Sequence, residues 1–216
     1  MTKILLTRHG HVEGIDPIRF RGRSELSLTA LGEAQAAAVA RRIAGTWRPD
    51  IVYTSPMGRC IATSRHIASA CQIDVEILED LNDLDYGAWQ WKTYAEVERA
   101  WPALFRQWLT TPHLVRFPGG DSLQDLVART ADAVRSVVER HTSDTAVIVL
   151  VGHDSVNRAL LLQLLDQPLS AYWRLSQQPC CLNEFDLVDG QVHVRRVNET
   201  QHLEAIERSS QPPTSS

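Results

Sequence analysis

The sequence predicts an α/β fold, a three-layer α/β/α sandwich with a mainly parallel central sheet. Three observations support this prediction. Short apolar runs alternate with longer stretches of helical spacing, most of these stretches have a recognisable start, and the run at 146–152 is apolar throughout. A continuously apolar strand is typical of a central position that is buried on both faces. Strand–helix alternation indicates a parallel sheet, because each connecting helix packs back onto a face of the sheet.

Six segments are predicted as strands. All are short and largely apolar, and the last two flank Asp189–Gly190, a dipeptide typical of a two-residue hairpin turn. In chain order, the predicted strands are KILLT (3–7), DIVYTS (50–55), VEIL (75–78), AVIVLVG (146–152), LNEFDLV (182–188) and VHVRRV (192–197).

The first two helices are predicted from residue spacing and from a cap. Residues 30–45 repeat small apolar residues at helical spacing. Ser55 followed by Pro56 predicts an N-cap with proline at the first helical position, where the missing N–H would have no partner in any case. This second helix is expected to run to about Cys71.

The later helices begin at polar residues. Thr93 and Glu96 have the spacing of a capping box, and Pro102 predicts that the helical segment behind them is kinked or split. Ser122 is predicted to begin the helix of residues 122–141. Ser155 is predicted to begin the one that follows the apolar run at 146–152.

Composition excludes several classes of protein. The 216 residues suit one domain, and we predict a single domain over 1–207 with a disordered, Pro/Ser-rich tail over 208–216. The net charge is −4, and the basic runs are no longer than pairs such as Arg41–Arg42, so no nucleic-acid partner is expected. No membrane contact is expected, because no stretch reaches about 18 apolar residues.

The cysteines and the N-terminus predict a cytoplasmic location. The four cysteines form no CxxC pair, and two of them are adjacent, so we expect reduced thiols rather than a zinc site or a disulfide framework. The N-terminal apolar run is too short for a secretory signal and is followed directly by Arg8.

Arginine and histidine residues lie close behind the ends of three of the predicted strands. Arg8 and His9 come after the first strand, Arg59 lies one turn into the helix after the second, and His153 follows the run at 146–152. Ligands of parallel sheets bind beyond the carboxyl ends of the strands. We therefore expect two arginines and two histidines to meet at one edge of the sheet.

Such a group of residues suits a phosphate ester. Guanidinium groups and helix N-termini bind phosphate oxygens, and a histidine among fixed cations tends to stay neutral. A neutral imidazole can attack phosphorus and form a phosphohistidine. The departing alkoxide then needs a proton from a carboxylic acid, and the loop at 78–89 offers Asp80, Asp83 and Asp85.

Arg8-His9-Gly10 after a first strand resembles the signature of the histidine phosphatase superfamily, in its phosphoglycerate-mutase-like branch (branch 1). The resemblance covers residues 3–203, and its further motifs occur in the family's order. They are RFRGRSELSLTALGEAQA, YTSPMGRCIATS, LNDLDYGAW, FPGGDSL, VLVGHDSVNRALL and VNETQHL. The tripeptide alone is a weak signal, but the ordered set is specific.

The resemblance implies a phosphatase that uses no metal and no other cofactor. His9 would be the nucleophile, Asp83 would stand where the family has its general acid and base, and the substrate would be a small phosphomonoester. Its phosphoryl oxygens would be bound by Arg8, Arg59 and His153. Substrate contacts are expected from Arg21, Gly22, Tyr86, Asp154 and Asn157, of which Tyr86 and Asn157 would lie near the rim. A homodimer remains open.

The chain departs from the family pattern in the first loop and at the acid. The family has an acidic residue, a threonine and an asparagine where this chain has His11, Val12 and Ile15, so one phosphate contact is expected to be missing. Asp83 is one methylene shorter than the usual glutamate. Either the loop lies closer to the phosphate or a neighbour such as Asp85 acts instead.

Three alternatives to a phosphatase stay open. A mutase is disfavoured because the segment 109–120 is short and offers only Arg116 for a second phosphate. A metal-dependent hydrolase could use His9 and His11 together with His153 and Asp154 as ligands. A non-catalytic member would bind anions only. The sequence does not identify the substrate.

Overall fold

The computed structural model of the chain describes residues 1–141 and 145–206. Within them, six strands form one sheet, namely β1 (Thr2–Arg8), β2 (Ile51–Thr54), β3 (Val75–Ile77), β4 (Val147–Gly152), β5 (Leu182–Val188) and β6 (Gln191–Glu199). Their order is β3-β2-β4-β1-β5-β6. The pairs β3–β2, β2–β4 and β4–β1 are parallel, whereas β1–β5 and the β5–β6 hairpin are antiparallel.

Helices cover both faces of this sheet. They are α1 (Ala30–Thr46), α2 (Gly58–Cys71), α3 (Tyr94–Ala100), α4 (Pro102–Thr110), α5 (Leu123–Arg140) and α6 (Asp154–Leu164). Alternate side chains of β1 point to opposite faces: Ile4 and Leu6 pack in the cluster that contains α5 and α6, and Leu5 in the one that contains α1 and α2. The predicted three-layer sandwich is confirmed.

Most helix starts agree with the sequence prediction. The capping boxes that begin α3 and α5 are formed by Thr93 with Glu96 and by Ser122 with Asp125. Pro102 stands at the first position of α4 and separates it from α3, because a proline inside one continuous helix would lose a backbone hydrogen bond.

Two predicted helix starts were wrong. Helix α2 begins at Gly58, with Met57 rather than Ser55 as its N-cap, and α6 begins at Asp154, one residue before Ser155. Both serine hydroxyls have other partners: Ser55 Oγ lies 2.8 Å from the His153 ring, and Ser155 donates to a carboxylate introduced below. Contacts between distant residues therefore override the local capping preference.

No helix in the described residues is long and apolar enough to cross a membrane. The tail predicted over 208–216 lies outside the described residues, as does the predicted domain end at 207. The single-domain boundary therefore stays a prediction.

Candidate active site

The paired ends of β1 and β4 bring two histidine rings together. Arg8 and Gly152 are partners in the last register position, and the His9 backbone N–H donates to the Gly152 carbonyl at 3.0 Å. His9 and His153 each follow one of these strands, and their ring centroids lie 5.3 Å apart at an interplanar angle of 64°. Both are almost completely buried. The expectation that strand ends bring the two histidines together is met.

Glycine lets the turn after His9 approach helix α1. A Cβ atom on Gly10 would lie 2.5 Å from the Gly32 carbonyl oxygen, and one on Gly32 would lie 2.2 Å from the His11 carbonyl oxygen. Any larger residue would push the turn away from the helix. The Gly10 N–H also donates to Thr63 Oγ1 at 3.1 Å, which fixes the turn against α2.

The hydrogen bonds of His9 fix where its ring proton lies. Nδ1 is 2.7 Å from the Gly10 carbonyl oxygen, which can only accept, so Nδ1 carries the proton. Burial, followed by the charges of Arg59 and Arg8, holds the pKa of His9 well below its usual value. Neutral His9 therefore keeps an unprotonated Nε2, which accepts from Arg59 Nε at 3.2 Å.

Arg59 is the centre of the site. Its side chain comes from the first turn of α2, is completely buried, and donates to the carbonyl oxygens of Ser24 at 2.8 Å and Gly22 at 2.6 Å. Its Nη2 lies 3.0 Å from Asp83 Oδ2. One guanidinium thus contacts both the unprotonated nitrogen of His9 and the carboxylate of Asp83.

Arg8 supplies a second buried guanidinium with a free donor. Its Nη1 donates to the Gln177 carbonyl oxygen at 2.6 Å and lies 3.8 Å from Asp154 Oδ1. Its buried Nε has no hydrogen-bond partner in the described part of the chain. A buried donor without a partner next to a second buried cation favours an anionic ligand, because such a ligand would satisfy it.

His153 is also held neutral. Its Nδ1 lies 3.1 Å from Arg59 Nη2 and 3.3 Å from Asp83 Oδ2, and its Nε2 lies 2.8 Å from the Ser55 hydroxyl. Burial, followed by the charges of Arg59 and Arg8, lowers its pKa well below the usual value. The positive charge of the site therefore belongs to the arginines, and the two imidazoles add none.

Asp83 is the loop carboxylate that reaches this group. Its Oδ1 accepts from the Ser155 hydroxyl and from the Leu84 N–H at 2.8 Å. Asp85, the alternative acid, turns away: its Oδ1 accepts from Gly87 N at 2.8 Å, and it does not line the cavity beside His9. Of the two carboxylates, Asp83 is the one in contact with Arg59.

A cavity of about 60 Å³ opens in front of His9 and Asp83. This volume equals that of about two water molecules. Four of the five residues expected to contact substrate line it, namely Arg21, Gly22, Tyr86 and Asp154. Residues that were not among the predicted substrate contacts complete the wall: Ile18, Arg19, Phe20, Tyr94, Ser155, Tyr172 and Trp173.

Asn157 does not lie near the rim, where it was expected. It is completely buried beneath the site, because its amide joins the ends of β1 and β4. With its nitrogen donating to the His153 carbonyl at 3.1 Å, its oxygen accepts from the Arg8 N–H at 3.2 Å. The side chain of Gln177 adjoins the same amide at 3.1 Å, and no sequence signal pointed to it.

The metal alternative needs more ligands than the two histidine rings that the strand ends bring together. No group of three or more histidine, cysteine, aspartate or glutamate side chains within residues 1–141 and 145–206 could hold a metal ion. The His9 and His11 rings have different partners, because Nδ1 of His9 faces the Gly10 carbonyl and Nδ1 of His11 lies 2.9 Å from Thr29 Oγ1.

Three similar proteins share nearly the whole chain. Phosphoserine phosphatase 1 of Hydrogenobacter thermophilus is 29% identical over 203 residues, which are 94% of this chain and 95% of that protein. Probable phosphoglycerate mutase GpmB of Salmonella paratyphi C is 30% identical over 214 residues, covering 95% and 96%. The structure of Bacillus stearothermophilus YhfR matches with a TM-score of 0.88 and 26% identity, covering 94% of this chain and 100% of that one.

Other relatives, from mycobacteria, are longer, and the matched region is 55% of their length. The family profile described as "Histidine phosphatase superfamily (branch 1)" matches residues 4–200. This range agrees with the stretch over which the motifs resemble that family. The chain belongs to the histidine phosphatase superfamily, branch 1, whose members it resembles over almost its full length.

Proposed function

We propose that the chain hydrolyses small phosphomonoesters through a phosphohistidine on His9, without a metal ion. The observation that carries this proposal is the state of His9 Nε2, which is unprotonated, buried and 3.2 Å from Arg59 Nε. In the first step Nε2 bonds to phosphorus and the ester P–O bond breaks, and Asp83, which must carry a proton when the substrate is bound, gives that proton to the leaving oxygen. In the second step water bonds to phosphorus and gives a proton to Asp83 while the P–Nε2 bond breaks, which releases phosphate and returns His9 and Asp83 to their starting forms.

The arginines would supply most of the rate enhancement. Phosphomonoester hydrolysis can be accelerated up to roughly 10²¹-fold by enzymes, and a positioned acid contributes only about 10²–10⁴ of that. A phosphoryl group at Nε2 would take over the donor that Arg59 gives to His9 in the free enzyme. It would also bring an anion to the buried guanidinium of Arg8, whose Nε lacks a partner in the described residues. Neutral His153 would complete the pocket.

Hydrolysis is favoured over phosphate transfer by the position of Arg116. Its side chain is 65% exposed, pairs with Asp125 at 2.9 Å, and does not line the cavity. A mutase needs cations for a second phosphate, and this arginine is not placed to provide one. Arg19 and Arg21 do line the cavity, but each already donates to a backbone carbonyl oxygen, that of Trp91 and that of Gly14, so a leaving group with one carboxylate is a more suitable first candidate than one with a second phosphate.

The substrate and the oligomeric state can each be determined by a direct experiment. The names of the relatives make phosphoserine and phosphoglycerate the first members of a phosphomonoester panel. Release of free phosphate supports a phosphatase, whereas a phosphate found on a second hydroxyl of the product supports a mutase. A homodimer stays a prediction, for which sedimentation of the purified chain is the test.

Trapping the phosphoenzyme tests the proposal. Enzyme mixed with a ³²P-labelled phosphomonoester is denatured in alkali, because phosphohistidine is labile in acid. Wild type should keep the label, His9→Gln should lose both label and turnover, and His66→Gln, altered on an exposed part of α2, should behave as wild type. Label that persists in His9→Gln, or turnover restored only by zinc or manganese after chelation, would overturn the proposal. No label and no turnover on any ester would instead support an anion-binding protein.

A further inference from the structure

The loop that carries Asp83 is held by one arginine from helix α5. We call residues 79–87 the acid loop; apart from single 3₁₀ turns it has no regular hydrogen bonding of its own. Arg129 donates through Nη1 to the Asp80 carbonyl at 3.0 Å and to the Asn82 carbonyl at 2.6 Å, and through Nη2 to the Asp83 carbonyl at 3.3 Å. One guanidinium thus binds three carbonyl oxygens within four residues.

A second arginine and one carboxylate complete this support. Arg23 Nε donates to the same Asp83 carbonyl at 3.2 Å. Asp121 Oδ2 lies 3.5 Å from Arg129 Nη2 and 3.2 Å from Arg23 Nη2, and it accepts from the Asp85 N–H at 3.2 Å. Two cations directed at one carbonyl repel each other, and the Asp121 charge between them offsets that repulsion.

The turn at 117–121 places Asp121 against the acid loop. The Asp121 N–H donates to the Asp85 carbonyl at 2.9 Å. A Cβ atom on Gly87, whose φ is +49°, would lie 2.3 Å from the Pro118 carbonyl oxygen, and one on Gly120 would lie 2.4 Å from the Asp85 carbonyl oxygen. The two segments therefore touch through glycines, and the motif FPGGDSL acquires a structural role beside the catalytic groups.

We propose that Arg129 is a positioning residue that sets how far the Asp83 carboxylate reaches toward Arg59. The proposal rests on the function proposed above, in which Asp83 is the acid. An aspartate is one methylene shorter than the glutamate usual in this family, so its backbone must be held closer to the phosphate. A displacement of about 1 Å can cost on the order of 10²-fold in rate. Arg129 itself stands behind the acid loop and does not line the cavity.

The dependence of the rate on the leaving group tests this role. The measured quantity is the rate of phosphoenzyme formation. It is monitored by rapid quench with two substrates, phenyl phosphate and p-nitrophenyl phosphate. Phenol has an ordinary pKa of about 10, so phenolate is a poorer leaving group than p-nitrophenolate. Its departure therefore depends more strongly on a proton from the acid. Arg129→Ala should slow the reaction of phenyl phosphate roughly 10²-fold and that of p-nitrophenyl phosphate far less. Arg135→Ala, altered on the exposed side of α5, is the matched control and should leave both rates unchanged.

A double-mutant cycle separates positioning from general damage. In an Asp83→Asn background, Arg129→Ala should cost no further activity on phenyl phosphate, because its effect passes through Asp83. Arg129→Lys, which keeps a cation but not the planar fork, should fall between wild type and Arg129→Ala and covers the case in which the alanine variant does not fold. Equal loss on both esters, or additive losses in the cycle, overturns the role of Arg129. Failure of Asp83→Asn alone to impair phenyl phosphate overturns the acid assignment instead.

Discussion

His9 and Asp83 contact the same guanidinium, that of Arg59, but from different kinds of backbone. His9 follows a strand end that is paired on both sides, and its turn is fixed by the close approach of Gly10 to helix α1. Asp83 lies on a loop whose carbonyl oxygens are bound by arginine side chains. The proposed nucleophile is therefore positioned by the sheet, and the proposed acid by side chains from distant parts of the chain.

The two halves of the site, the nucleophile half around His9 and the acid half around Asp83, should tolerate substitutions differently. A sheet ladder consists of many backbone hydrogen bonds that no single side-chain substitution removes. The acid loop depends on Arg129, Arg23 and Asp121, and each can be removed by one substitution. Substitutions in the nucleophile half should therefore lower activity only when they alter the reacting groups. In the acid half, substitutions far from Asp83 should lower activity as well.

The group shared by both halves should give the largest effect. Arg59→Lys is expected to lower kcat/KM about 10³-fold, because a single ammonium cannot serve His9, Asp83 and a phosphoryl oxygen together. Arg65→Lys, on the exposed face of the same helix, is the control and should retain wild-type kinetics. A small loss in Arg59→Lys, with Arg65→Lys equally affected, would show that the buried guanidinium is not the centre of the site.

The acid half should give a smaller and more selective effect. Asp83→Asn is expected to lower turnover of phenyl phosphate about 10²-fold and to let phosphoenzyme accumulate with p-nitrophenyl phosphate, because water then lacks its base. Asp85→Asn, two residues away, should have a much smaller effect on both, since its carboxylate does not contact Arg59 and instead accepts from Gly87 and lies 3.5 Å from Arg23. If Asp85→Asn caused the larger loss of activity, the assignment of Asp83 as the acid would be wrong.

The smallest effect concerns stability against pH. The folded-state pKa values of His9 and His153 are depressed below 6.5, so below about pH 6.5 the unfolded chain binds protons on them that the folded chain does not. The free energy of unfolding should fall as pH drops below 6.5 and gain nothing from these groups above it. Removing one of the two rings in His153→Gln should reduce the slope by up to about 1.4 kcal/mol per pH unit. Urea titrations measure this, with a substitution of the exposed His193, His193→Gln, as control, and an unchanged slope in His153→Gln contradicts it.

The nucleophile half could be predicted from sequence because its signals are local. An apolar strand followed by Arg8 and His9, and another followed by His153, determine where those side chains emerge. The family resemblance was a poorer guide to Asn157. It implied a place near the rim, yet the side chain faces inward and joins two strand ends.

The acid half could not be resolved in the same way. As a pattern alone the three aspartates in 78–89 were equivalent, and only the family resemblance favoured Asp83, with Asp85 as the alternative. The arginine that we propose to position Asp83, Arg129, lies more than forty residues further along the chain. Ser55 was predicted as an N-cap and Ser155 as a helix start because only their local positions could be considered. Their partners in the site, the His153 ring and the Asp83 carboxylate, are distant in sequence. Contacts of this kind carry no periodic signal.

The central claim is that Nε2 of His9 is the atom that bonds to phosphorus, and the position of the phosphate tests it most directly. Asp83→Asn loaded from p-nitrophenyl phosphate is digested in alkali, and the phosphohistidine isomers are separated against standards. We expect one labelled residue, His9, with phosphate on Nε2, because the Nδ1 proton of His9 is donated to the Gly10 carbonyl. Phosphate on Nδ1, or on His153, would contradict it.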